Sequence, residues 1–255
     1  MAAMMQMSVL WATIFILCAQ LNFYIATWDE YHTHEMYLPK INGADEGLVL
    51  TVLLYMLTAF VLPRGVWLME VYTVPLNVWF TIVSLLSALF TANMFVGRVR
   101  DHSREKGWPL ERAWWKLLPF GITVSQTVYW LLVVTAATNA FDYAVFEVLL
   151  CCAFCFGQFT SRLIVAHVCG MHFKAWQPAL WVPMIPITAH ILTAVLDVTV
   201  VPPSTVLHIT LCISGLMWLH YAYVCINAIS SSLGIRRFNI ETRHVPEVSG
   251  VLPER

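Results

Sequence analysis

Five ionisable side chains fall within seven residues of this chain: Asp29, Glu30, His32, His34 and Glu35, led by Trp28 and interleaved with Tyr31 and Thr33. The preceding residues 1–28 carry no charge, and neither do residues 47–63, which follow soon after. Ionisable groups are costly in hydrocarbon, so a cluster of them between two apolar runs marks a membrane–water boundary with chemistry or a ligand to serve. At such a boundary a water-soluble substrate can meet a lipid. The same composition is also compatible with an ordinary solvated loop.

Two kinds of chemistry suit these residue types. One residue separates His32 from His34, which places them about 200° apart on a helix but on one side of an extended strand. A metal site built on this pair therefore needs an extended loop and carboxylate ligands such as Glu30 or Glu35. General-base catalysis needs less. A neutral imidazole with a pKa near about 6.5 can take a proton from an alcohol, with Glu30 orienting it or relaying the proton. Membrane desaturases also use histidines, but they need several separate histidine clusters, and this chain has one.

The elements that position the island are apolar. Hydrophobic residues make up 59% of the 255 and charged residues 11%, against about 25% charged in soluble proteins. An all-α fold is expected, a polytopic transmembrane bundle of seven spans: 5–27, 47–63, 76–97, 117–138, 144–168, 180–200 and 205–229. Residues 1–229 form one bundle domain and 230–255 a partly disordered cytosolic tail. The N-terminus has no basic n-region and is read as a retained span. Twelve of the fourteen Lys and Arg residues fall in the loops and tail on one side of that arrangement, Arg64 on the other and Arg162 within a span. The positive-inside rule makes the twelve-charge side, and with it the island and the C-terminus, cytosolic. The Trp-rich stretch 98–116 suits an interfacial segment and not a nucleic-acid patch. The seven cysteines lie in or beside apolar runs and show neither a disulfide framework nor a zinc pattern. His208 and His220 are twelve residues apart on one expected helix, about 18 Å, too far to share a metal.

The stretch Ala26-Thr27-Trp28-Asp29-Glu30-Tyr31-His32-Thr33, followed by Asn42-Gly43-x-x-Glu46-Gly47, resembles the choline/ethanolamine phosphotransferases of the CDP-alcohol phosphotransferase family. That family reads S/A-T-W-E-E-Y-H-T and then N/S-G-P-V-E-G. Leu163-Ile-Val-Ala-His167 and Leu233-Gly-Ile-x-x-Phe-x-Ile240 resemble two later family stretches. Asp29 in place of Glu and Ala44-Asp45 in place of Pro-Val are modest departures. A larger one is the family's D-G-x2-A-R-x8-G-x3-D-x3-D motif. The chain has no Asp-Gly pair, and its five aspartates (Asp29, Asp45, Asp101, Asp142, Asp197) are too dispersed to rebuild it. Because that motif lies upstream of W-x-E-Y-H-T in the family, the chain is expected to correspond to a C-terminal portion.

The resemblance implies transfer of phosphocholine or phosphoethanolamine from CDP-choline or CDP-ethanolamine to diacylglycerol, releasing CMP. It also implies Mg²⁺ or Mn²⁺, whose aspartate ligands this chain lacks, so the chain alone is expected to be inactive. His32 and Glu30 are the expected catalytic residues, and Tyr31, Asn42 and Glu46 the expected substrate-binding ones. Membrane lipids and a homodimer are the expected partners, in the endoplasmic reticulum or Golgi membrane. The competing expectation is a non-catalytic membrane protein of the same descent that binds lipid or pairs with a full-length relative.

Overall fold

The computed structural model describes residues 4–37, 45–63, 65–131, 141–196 and 201–235. Nearly all of this is helix: α1 (Val9–Thr33), α2 (Asp45–Phe60), α3 (Leu76–Lys106), α4 (Glu111–Trp114), α5 (Leu118–Tyr129), α6 (Phe141–Val168), α7 (Met184–Leu196) and α8 (Pro203–Leu233). The described strands are two dipeptides, β1 (Glu70–Val71) and β2 (Val74–Pro75), paired antiparallel. Tyr72 and Thr73 join them, both at positive φ, the backbone a two-residue hairpin turn demands. The fold is the expected all-α membrane bundle.

Five described segments are long and apolar enough to cross a membrane: Val9–Thr33, Leu76–Lys106, Val145–Val168, Pro178–Leu196 and Ser204–Leu233. The expected span over 47–63 forms the shorter helix α2, and the one over 117–138 begins as α5 and continues beyond the described residues. Two compact units divide the chain at Trp218/Leu219. Every site residue discussed below lies in the first. The second is described as the end of α8 and two further residues, so most of the expected tail lies outside the described residues.

Large apolar side chains face outward from these helices. Leu86 and Phe90 of α3 and Leu216 and Leu219 of α8 are exposed, as suits helices solvated by lipid whose backbone bonds are all internal. Lipid chains are as apolar as leucine, so helix association rests on close packing and on polar contacts between helices. α1 packs most extensively on α3 and next on α6. Tyr24, Ile25 and Trp28 of α1 meet Phe95 and Val99 of α3 and Phe159, Leu163 and Ala166 of α6 in the main core cluster. Within it the Tyr24 ring stacks on Phe120 at 5.3 Å and meets the edge of Phe159 at 5.4 Å.

The end of α1 departs from expectation. The first span was expected to stop at Thr27, but the helix runs on through Asp29, Glu30 and Tyr31 to Thr33. No glycine or proline interrupts it before Pro39, and charged side chains on a helix need partners only beyond their own backbone. Thr33 Oγ1 donates to the Asp29 carbonyl at 2.9 Å. His34 then closes the helix in the left-handed conformation (φ 57°), its N–H bonded to the Glu30 carbonyl at 2.9 Å. α3 ends at Gly107 (φ 69°), a conformation glycine takes without steric penalty, with Arg104 and Lys106 in its last turn complementing the helix dipole.

Candidate functional site

Each residue in a helix is turned about 100° from the one before, and so four consecutive island residues reach four different partners. Asp29, 1% exposed, faces α3, where its Oδ2 accepts from Arg98 Nε at 3.1 Å. Its Oδ1 is buried with no hydrogen-bond partner. Glu30 faces α6, with its Oε1 3.6 Å from His167 Nε2. That is too long for a hydrogen bond but within ion-pair range when His167 is protonated. Tyr31 reaches the chain leaving α6. Its hydroxyl donates to the Met171 carbonyl and accepts from the Phe173 N–H, both at 3.2 Å.

His32 is enclosed by rings. It stacks on Trp108 at 5.3 Å and meets Trp28 and Tyr31 edge-on at 5.5 and 5.2 Å. Its Nε2 is buried and makes no hydrogen bond to the protein. His34 stacks instead on His167, at 5.4 Å.

The segment after α3 forms one wall of this region. Trp28, fully buried, donates its Nε1–H to the Ala113 carbonyl at 2.8 Å, and Tyr24 donates its hydroxyl to the Lys116 carbonyl. Lys116 Nζ lies 5.1 Å from the centre of the Tyr31 ring and donates to the Arg112 carbonyl at 3.1 Å. Burial, and after it the charge of Arg112, holds the Lys116 ammonium below the usual lysine range. The stretch expected to lie along headgroups does so only in part: Trp115 is exposed, while Trp108 packs into the site.

The structure thus gathers Glu30, Tyr31 and His32 at one end of α1, each with its own partner. Glu30 pairs with His167, and His32 sits among aromatic rings. His32 and His34 lie on a helix and its cap, not on an extended loop, and they turn to different neighbours. Asn42 lies outside the described residues, as does the side chain of Glu46. Arg98 and Trp108 were missed as site residues by the sequence reading, which took them for interfacial loop residues. His167 stood in a family-like stretch, but its link to Glu30 is a contact between distant helices.

Among the described residues no group of three or more His, Cys, Asp or Glu side chains is placed to hold a metal ion. Asp29 and Glu30 are engaged by Arg98 and His167. These residues do not fit the divalent cations that the resemblance implies, and no chemical step is routed through them. Three further pairs lie in or at the ends of the spans. Glu147 Oε1 lies 2.8 Å from His208 Nε2, Tyr129 shares a 3.3 Å hydrogen bond with His190, and Cys152 Sγ accepts from Thr127 at 3.0 Å. His208 and His220 both lie on α8.

No family model matches the chain. Its curated homologues are CDP-alcohol phosphatidyltransferase class-I family proteins and choline/ethanolaminephosphotransferases, which cover 89–100% of this chain at modest identity. The chain is 28% identical over 247 residues to choline/ethanolaminephosphotransferase 1 of Arabidopsis thaliana, across 89% of this chain and 62% of the relative. It is 26% identical over 252 residues to the uncharacterized CDP-alcohol phosphatidyltransferase class-I family protein 3 of Dictyostelium discoideum, with the same two coverages. Protein 2 of that description and organism is 22% identical over 255 residues, across 100% of this chain and 59% of the relative. The chain spans about three-fifths of the length of these relatives.

Proposed function

We propose that this chain serves a CDP-alcohol phosphotransferase reaction. Phosphocholine or phosphoethanolamine passes from its CDP ester to the hydroxyl of diacylglycerol, giving a phospholipid and CMP. The observation that carries this reading is a likeness to such relatives along 89–100% of the chain. The site gathered at the end of α1 supports it.

In this reading the lipid hydroxyl attacks the phosphorus bearing the alcohol, the bond from that phosphorus to the CMP oxygen breaks, and the hydroxyl proton passes to a base. His32 is our candidate base. Its buried, unpartnered Nε2 is an available acceptor, and the stacked Trp108 and the edge of Trp28 hold its ring. Glu30, 34% exposed and paired with His167, stands at the rim as the second candidate base. Tyr31, Asn42 and Glu46 shape the substrate entrance. Divalent cations bound elsewhere in the reacting assembly would neutralise phosphate charge. The reaction sits on the cytosolic face of an endoplasmic reticulum or Golgi membrane, with the C-terminus on the same side.

The test is transfer from CDP-choline and CDP-ethanolamine to diacylglycerol by the chain in lipid nanodiscs with Mg²⁺ or Mn²⁺. It is run with and without a co-expressed relative's segment bearing the aspartate motif. Transfer is expected when that segment is supplied. No transfer under either condition, from a chain that is folded, overturns the reading in favour of a non-catalytic lipid-binding or partner-pairing protein.

A further inference from the structure

We propose that Arg98 is a phosphate-binding residue, its guanidinium fixed by Asp29 and Tyr37 so that its two terminal nitrogens face a phosphate group. Which phosphate is bound rests on the transferase reading above; the binding itself does not.

The geometry separates this arginine from one held only for stability. A strong structural arginine–carboxylate pair is usually bidentate, using two parallel N–H···O bonds. Here Asp29 takes Nε alone, at 3.1 Å, and its second oxygen is left buried and unpartnered. Among the described residues, no protein hydrogen bond or ion pair is made by the two terminal nitrogens of Arg98. The guanidinium carbon lies 4.0 Å from the centre of the Tyr37 ring, and Tyr37 meets Phe95, one turn back on α3, edge-on at 6.5 Å. The side chain is therefore roofed on one face and pinned along one edge, yet 26% exposed. A fixed planar fork loses little freedom on binding and matches the oxygens of a phosphate.

The surroundings favour an anion. Two of the three island carboxylates are already engaged, Asp29 by Arg98 and Glu30 by His167, and the third, Glu35, is exposed. Lys116 adds a positive charge 5.1 Å from the ring of Tyr31, two residues along α1 from Asp29. The phosphate has two sources that present the same chemistry, a soluble diphosphate and a lipid headgroup.

The experiment measures binding of inorganic pyrophosphate and CDP-choline to the whole chain in phosphatidylcholine nanodiscs by calorimetry. A second arm measures enrichment of phosphatidic acid around the chain in mixed nanodiscs. Arg98→Lys keeps the charge that Asp29 needs but removes the fork, and is expected to weaken binding about tenfold or more. Tyr37→Leu leaves the ion pair and removes the roof, with an expected loss of about threefold. Arg98 dependence in the first arm assigns a soluble diphosphate, and in the second a lipid headgroup; either supports the proposal. Wild-type binding in both arms by a folded Arg98→Lys protein overturns it, as does a wild-type chain that takes neither probe. If Arg98→Lys does not fold, Tyr37→Leu decides, and unchanged binding overturns the proposal. Arg98-dependent binding without transfer under any condition leaves this inference standing while removing the transferase reading.

Discussion

Helix α6 carries a carboxylate–imidazole pair near each end, and the two differ in an instructive way. Near its start, Glu147 meets His208 of α8 at 2.8 Å; near its finish, His167 meets Glu30 of α1 at 3.6 Å. The shorter contact has the more accessible imidazole, His208 at 61% against 19% for His167, though the less accessible carboxylate. Close to the starts of their spans, within reach of headgroup water, such a pair contributes about 0–1 kcal/mol. Around Glu30 and His167, by contrast, His34 stacks on the imidazole, Tyr31 ties down the following chain, and Asp29 next door holds Arg98. Organisation of the surroundings, not contact distance, separates a candidate site from an isolated ion pair.

The largest test of this contrast is structural. Arg98→Ala leaves the Asp29 carboxylate buried without its counter-charge, and is expected to destabilise the protein by about 3 kcal/mol. Glu147→Gln at the far pair is expected to lose less than about 1 kcal/mol. Reversible unfolding in mixed detergent micelles measures both, and equal losses would erase the distinction.

Next comes the chemistry. In an assay where the wild-type chain supports transfer, His32→Ala is expected to lower turnover about 10²-fold, the usual contribution of a positioned general base. His208→Ala at the far end is expected to leave turnover unchanged. A folded His32→Ala protein with normal turnover would move the base to Glu30, whose Glu30→Gln variant would then carry the loss.

A smaller effect tests the wall. Trp28→Phe removes the indole N–H from a fully buried position and leaves the Ala113 carbonyl only the Trp115 N–H, with an expected loss of about 1 kcal/mol. Turnover should fall with it, because the same ring meets His32 edge-on at 5.5 Å.

The island itself was legible in the sequence, because charge is rare in this chain and five ionisable groups in seven residues stand out against uncharged flanks. The helical bundle was legible for the same reason, since runs of about twenty apolar residues have few other uses. The continuation of α1 to Thr33 was not. A hydropathy boundary records where charge begins, whereas a helix ends where its backbone bonds are capped, here at His34. The partnerships were also hidden. Asp29 and Arg98 are 69 residues apart, and His167 reaches Glu30 from another helix; periodicity along one helix says which residues share a face, not what that face meets. Trp108 read as a headgroup anchor because tryptophan beside arginine and lysine usually is one. Only the turn at Gly107, which folds it back under α1, makes it a partner of His32.

The smallest effect concerns the like charge gathered at the polar end. The Lys116 ammonium is disfavoured first by burial and then by Arg112, so its folded-state pKa lies below the ordinary lysine value of 10.5. Below the lowered folded value the lysine is charged in both states, and the folded protein bears the whole penalty. As pH rises through the interval between the lowered folded value and 10.5, the folded protein releases this proton while the unfolded chain still holds it. The unfolded state then binds more protons, and stability rises with pH. The stability of wild type minus that of Lys116→Met should therefore climb across this alkaline interval and level off above it. A difference that stays flat would mean that Lys116 is solvated like any surface lysine. The polar end would then carry no electrostatic penalty that the far end of α6 lacks.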